Sequence, residues 1–183
     1  METALTFITG GARSGKSTFA EQTAARLALN EGGKLHYIAT SKPSDEEMRL
    51  RIHRHKEQRK EGGFPWRTWE CHDRLGAIVD HFGPEDIVLL DCLTILLANE
   101  LRLDGKQERV MEAILCPIDD LKKHCRALVI VSNEVLNAPL NNDRLTLTYG
   151  HLLGNLHREL VKRASAAYLV EAGIPVLMKG IKS

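Results

Sequence analysis

The sequence predicts an α/β domain in which a largely parallel sheet is flanked by helices, and three observations predict it. Apolar runs of strand length alternate along the chain with longer stretches of helical period. Two of these runs, Ile87–Leu90 and Ala127–Val131, are apolar without a break, as strands buried on both faces are. Aromatic residues make up only 5% of the chain, so the core has to come from Leu, Ile, Val and Ala, which suits a sheet covered by helices.

A length of 183 residues fits a single domain, 1–183, with a real core. The 25 Lys+Arg are balanced by 24 Asp+Glu, which excludes a uniform polycation for coating nucleic acid or anionic lipid. With 43% hydrophobic and 27% charged residues, disorder, collagen and coiled coil are excluded as well. The longest apolar stretch, Ile87–Ala98, is broken by Asp91 and Thr94 and is shorter than the ~20 residues of a membrane span. The amino terminus lacks a basic n-region, so the expected location is the cytoplasm. Cys71, Cys92, Cys116 and Cys125 show no C-x-x-C spacing and read as buried free thiols rather than a disulfide framework or zinc site.

Element by element, Leu5–Ile8 is a strand, Gly10–Ser17 a glycine loop, and Phe19, Ala20, Ala24 and Leu27 the apolar positions of a helix. A turn at Glu31-Gly32-Gly33 leads to a strand at Leu35–Thr40. Ser44 and Glu47 form a capping-box sequence that starts a charged helix reaching Lys60, closed by Gly62-Gly63-Phe64-Pro65. Trp66–Glu70 is β-prone, Leu75–His81 helical, and Gly83–Asp86 a turn before the strand that ends in Asp91. Helices at Leu93–Leu103 and Glu108–His124 precede the strand at Ala127–Val131, which runs into Ser132-Asn133-Glu134. A long helix at Arg144–Ala166 and closing strands at Tyr168–Glu171 and Pro175–Met178 complete the chain.

Gly10-x-x-x-x-Gly15-Lys16-Ser17 matches the Walker A pattern and lies between a strand and an amphipathic helix, the context the motif requires. There the backbone N–H groups of Gly10, Gly11, Ala12, Arg13, Ser14 and Gly15 wrap phosphates, Lys16 reaches the β/γ-phosphates, and Ser17 ligates Mg²⁺. Asp91, ending a continuous apolar strand, is placed as a Walker B acid for the same Mg²⁺; the competing reading is a cap on the helix starting at Leu93. The fold class is thus a P-loop NTPase of the RecA-like kind, and its substrate a nucleoside triphosphate.

Residues 49–60 carry six basic side chains, one acid and two histidines, a net +5 inside a chain whose sum is +1. A solvated helix face is the bland reading. At 100° per residue His53 and His55 point about 200° apart, so they cannot chelate one metal together on a helix. Met48, Ile52 and His55 share a face with Arg51 and Arg59 near it. A neutral imidazole there has a lone pair for attack on phosphorus, with guanidiniums to hold phosphate oxygens; a core-edge histidine is the alternative.

These residues resemble a known family. Thr9–Ser17, Tyr37–Ser41, Asp45–Met48, Arg51-Ile52 before His55-Lys56, Trp66-Arg67-Thr68 with Glu70, and Ser132–Val135 occur in the order seen in the bifunctional adenosylcobinamide kinase / adenosylcobinamide-phosphate guanylyltransferase of cobalamin biosynthesis. The resemblance implies phosphorylation of the aminopropanol hydroxyl of adenosylcobinamide from ATP or GTP. Transfer of GMP from GTP to adenosylcobinamide phosphate through a GMP-histidine follows. It places the transferring histidine at His55. Nucleotide contacts fall on Gly10–Ser17, on Ala39, Thr40 and Ser41, on Lys56, Glu57, Gln58 and Arg59, on Glu70 and on Asp91. Glu70 is expected to accept hydrogen bonds from the guanine edge. The resemblance also implies a homotrimer, and the charge balance leads to the expectation of no nucleic-acid partner. The link Lys60–Pro65 is longer than in the family, and Leu136 stands where glycine is usual. Two other functions compete: a P-loop small-molecule kinase without guanylyl transfer, and a nucleotide-dependent switch.

Overall fold

Strands and helices alternate as the hydrophobic periods require, in a computed structural model that describes residues 4–43, 46–104, 106–134 and 144–180. The side chains of Glu31, Glu47, Met48, Arg51, Gln58 and Glu61 lie outside that description. The strands are β1 (Ala4–Gly10), β2 (Lys34–Ala39), β3 (Trp66–Glu70), β4 (Asp86–Asp91), β5 (Ala127–Asn133), β6 (Ala166–Glu171) and β7 (Ile174–Lys179). The helices are α1 (Lys16–Glu31), α2 (Glu46–Glu61), α3 (Leu93–Leu103), α4 (Gln107–His124) and α5 (Arg144–Arg163).

The sheet runs β3-β2-β4-β5-β1-β6-β7, parallel except for the β6–β7 hairpin. Successive residues of β4 face opposite sides. Ile87 and Leu89 pack with Ala20, Ala24 and Ala25 of α1, whereas Val88 and Leu90 pack with residues of α3, α4 and α5. Small alanines let α1 lie close over one face, and the larger aliphatics fill the other. No helix among the described residues is long and apolar enough to cross a membrane.

The helix expected at Leu75–His81 is present as a 3-10 helix, entered through Arg74 at φ 51° and left through an extended Phe82. The structure changes two expectations. The long helix α5 stops at Arg163 because Ser165 already bonds Leu5 O through both its N–H and its hydroxyl, at 2.9 and 3.0 Å, leading the chain into β6. Cys71, Cys92 and Cys125 are buried, but Cys116 is exposed on α4, whose buried stripe is Val110, Ile114, Ile118 and Leu121. Ser44 and Leu136 lie outside the described residues.

Candidate active site

The parallel strands deliver the loops that follow them to one edge of the sheet, which is where α/β sheets bind ligands. After β1 the chain turns through residues 11–15 and enters α1, whose first N–H groups have no intrahelical partner and favour an anion. No acidic side chain sits in that first turn. Gly15 precedes the helix at φ +89°, a left-handed conformation that favours glycine. Gly10 is glycine for a different reason: an added Cβ would lie 2.4 Å from the carbonyl oxygen of Val170. The loop is backed by the β6–β7 hairpin, where Gly173 N–H donates to Ser14 O at 2.8 Å. Buried Lys16 donates from Nζ to Gly11 O at 2.9 Å. Two buried hydroxyls, Thr9 Oγ1 and Ser14 Oγ, have no hydrogen-bond partner among the described residues.

β4 ends beside β5, and β5 lies between β4 and β1, so Asp91 and the loop after Gly10 stand one strand apart. Asp91 is not a helix cap. Cys92 occupies the cap position of α3 without a side-chain cap bond, and Asp91 Oδ2 instead accepts from Tyr37 Oη at 3.0 Å. Burial, then the Asp91 charge, pushes the Tyr37 phenol well above its usual value, so it stays a donor. Burial likewise raises the Cys92 thiol to about 11. Thr40, fully buried, accepts from Cys92 N–H at 2.8 Å and donates to Cys92 O at 2.9 Å, stapling the end of β2 to the end of β4.

Helix α2 covers this edge. Its inward face is Ile52, Lys56 and Arg59, with His53 and His55 on opposite shoulders, as 100° per residue requires. Under it lies a cavity of about 350 Å³, lined by Lys16, Ser17, Asp91, His55, Lys56 and Glu70 among others. Lys56 Nζ donates to Glu70 Oε1 at 3.3 Å across the mouth.

Of the residues singled out from sequence, Lys16, Ser17, Ala39, Ser41, His55, Lys56, Arg59, Glu70 and Asp91 line this one cavity. Gly10, Gly11, Ala12, Arg13, Ser14 and Gly15 shape the loop beside it without lining it, and Thr40 is turned into the core. Glu57 pairs with Lys60 at 2.9 Å, which holds its carboxyl below the usual range, and the Gln58 side chain lies outside the described residues. Eight lining residues were not singled out for binding, among them the polar Tyr37, Arg49, His53 and Asn133. Asn133 has the same sequence signal as Asp91, a polar residue closing a continuous apolar strand. Its Nδ2 donates to Thr94 Oγ1 at 2.9 Å.

With this geometry in view, comparison with known proteins is decisive. The chain matches the family described as cobinamide kinase / cobinamide phosphate guanyltransferase over residues 6–178. The chain belongs to that family. Curated relatives agree across nearly their whole length. The bifunctional adenosylcobalamin biosynthesis protein CobU of Salmonella typhimurium is 32% identical, with 94% of this chain and 98% of the relative covered. CobU of Escherichia coli has the same identity and coverage. The bifunctional protein CobP of Pseudomonas aeruginosa is 34% identical over 94% of this chain and 96% of its own. A KaiC-like protein of Pyrococcus horikoshii superposes with a TM-score of 0.50 at 14% identity, covering 92% of this chain and 71% of that one. That likeness bears on the fold, which is the RecA-like P-loop architecture expected from the motif.

Proposed function

We propose that this chain carries out both family reactions, phosphorylation of adenosylcobinamide and GMP transfer to adenosylcobinamide phosphate, at the one cavity between the P-loop and α2. The observation that carries this reading is the presence of Lys16, Ser17, Asp91 and His55 on the walls of a single cavity. Its volume of about 350 Å³ suits a nucleotide and not a corrinoid, so the aminopropanol arm enters while the macrocycle stays at the mouth.

In the kinase step the α1 N-terminus and Lys16 hold the β- and γ-phosphates while the substrate hydroxyl attacks the γ-phosphorus; the bond to the β-phosphate oxygen breaks, the nucleoside diphosphate departs and the hydroxyl proton passes to solvent. Ser17 and Asp91 would hold Mg²⁺. Asp91 Oδ2 already accepts from Tyr37, and among the described residues no cluster of three or more His, Cys, Asp or Glu could hold a metal. The donor set of one carboxylate and one hydroxyl therefore fits an ion that draws further ligands from phosphate and water. Bound there, Mg²⁺ would neutralise phosphate charge.

In the transfer step a His55 nitrogen attacks the α-phosphorus of GTP. The P–N bond forms as the bond to the departing pyrophosphate breaks, and Lys56 and Arg59 supply positive charge nearby. An oxygen of adenosylcobinamide phosphate then displaces His55 from phosphorus, giving adenosyl-GDP-cobinamide and the free imidazole. The resemblance extends the proposal to a cytoplasmic homotrimer, which light scattering at three times the chain mass would test.

Incubation with α-labelled GTP tests the mechanism. The expected result is acid-labile, alkali-stable label on the protein that His55→Ala abolishes while kinase turnover persists. Kinase turnover without label in the wild-type protein would establish the kinase-only alternative.

A further inference from the structure

Helix α2 carries the proposed nucleophile, yet its described side chains form no buried apolar stripe. Among its described side chains Arg59 alone is buried. Its guanidinium lies 3.7 Å from the centre of the Tyr37 ring, and Nη1 donates to Glu21 Oε1 at 3.3 Å. The paired side chains are 5% and 16% exposed, which separates this contact from the surface pairs of the same helix. Stacking flat on an aromatic face while pairing at its edge with a carboxylate is a combination that suits a planar guanidinium better than an ammonium.

The spacing gives the contact a purpose. Glu21 follows Ser17 by four residues on α1, and Arg59 follows His55 by four on α2, so each partner lies one turn from a group proposed to act on the nucleotide. The pair therefore pins α2 to the helix that holds the phosphates, one turn below both. The Tyr37 ring beneath Arg59 donates its hydroxyl to Asp91, tying the same contact to the far side of the cavity.

We infer that Glu21 is a positioning residue for guanylyl transfer, acting through Arg59 to hold α2 where His55 faces the α-phosphate. This rests on the reading of His55 as the GMP carrier. Glu21 does not line the cavity, and the kinase step uses the P-loop without α2's histidine, so the two activities respond differently to its loss.

The test is the rate of protein labelling by α-labelled GTP, measured beside kinase kcat and KM, in wild-type protein, Glu21→Gln, Glu21→Asp, Arg59→Lys and the Glu21→Gln/Arg59→Lys double variant. Glu21→Gln should slow labelling at least about tenfold, with half-saturating GTP unchanged and kinase constants within about twofold. Glu21→Asp, which keeps the charge one methylene shorter, should lie between wild type and Glu21→Gln. The double variant should label no more slowly than the slower single variant, because both remove one contact. Labelling of Glu21→Gln at the wild-type rate overturns the inference. So does a parallel fall in labelling, kinase activity and melting temperature, which would make the pair a fold contact only. Wild-type protein that takes no label overturns the His55 reading and this inference with it, whereas equal label in wild type and Glu21→Gln overturns this inference alone.

Discussion

His157 offers a stability test that is independent of the active-site chemistry. It lies on α5, where Nε2 shares a 2.8 Å hydrogen bond with Ser132 Oγ and the ring meets Phe7 edge-on at 5.2 Å between centres. Burial pushes its pKa down from 6.5 to about 4, so the fold holds the neutral imidazole. Between those values the unfolded chain binds more protons than the folded one. The stability is therefore complete above 6.5 and is lost as pH falls toward 4. Each pH unit of the interval is worth at most about 1.4 kcal/mol, and acidification from about pH 7.5 to about pH 5 removes about 2 kcal/mol through this side chain. For a chain of this size that is ~4–8 °C in Tm. The perturbation is His157→Gln, which keeps a polar partner for Ser132 but does not titrate. Urea unfolding of both proteins at the two pH values should show the wild type losing about 2 kcal/mol more than the variant. Equal losses would refute the argument, whatever the variant's absolute stability.

Gly10→Ala would place a Cβ 2.4 Å from Val170 O, a backbone atom that cannot swing away, and is expected to destabilise by about 1–3 kcal/mol and abolish binding of a fluorescent GTP analogue. Gly11→Ala, with nothing within 4 Å of the added atom, is the contrasting variant and should melt within about 2 °C of wild type. Thr40→Val leaves Cys92 N–H and C=O without their buried partner, and urea unfolding should show a loss of about 1–3 kcal/mol. Glu70→Gln removes the carboxylate proposed to read guanine, so competition between GTP and ATP in protein labelling should show a loss of preference for GTP of about tenfold or more.

The fold was legible because it is written in local periods. Ile87–Leu90 and Ala127–Val131 read as doubly buried strands from their composition alone, and Gly10–Ser17 as a loop between strand and helix. The misreadings share a cause. Where α5 yields to β6 depends on a neighbour distant in sequence, Leu5 O for Ser165. The exposure of Cys116 depends on which stripe of α4 meets the sheet.

The active site divides in the same way. Lys16, Ser17 and the loop's glycines were readable because a phosphate cradle needs those residue types in one short run, and His55 because the resemblance rests on a contiguous motif. Asn133, Tyr37 and the Glu21–Arg59 pair were not, since each gains its place only when the sheet aligns strand ends and α2 docks on α1. The sequence by itself determined the groups available to this protein: a glycine loop of the anion-binding pattern, an acid at a strand end and a histidine, the proposed nucleophile, in a basic helix. Only the tertiary structure decided that these face one cavity, because strand order and helix docking are set by long-range burial and pairing that no local pattern carries.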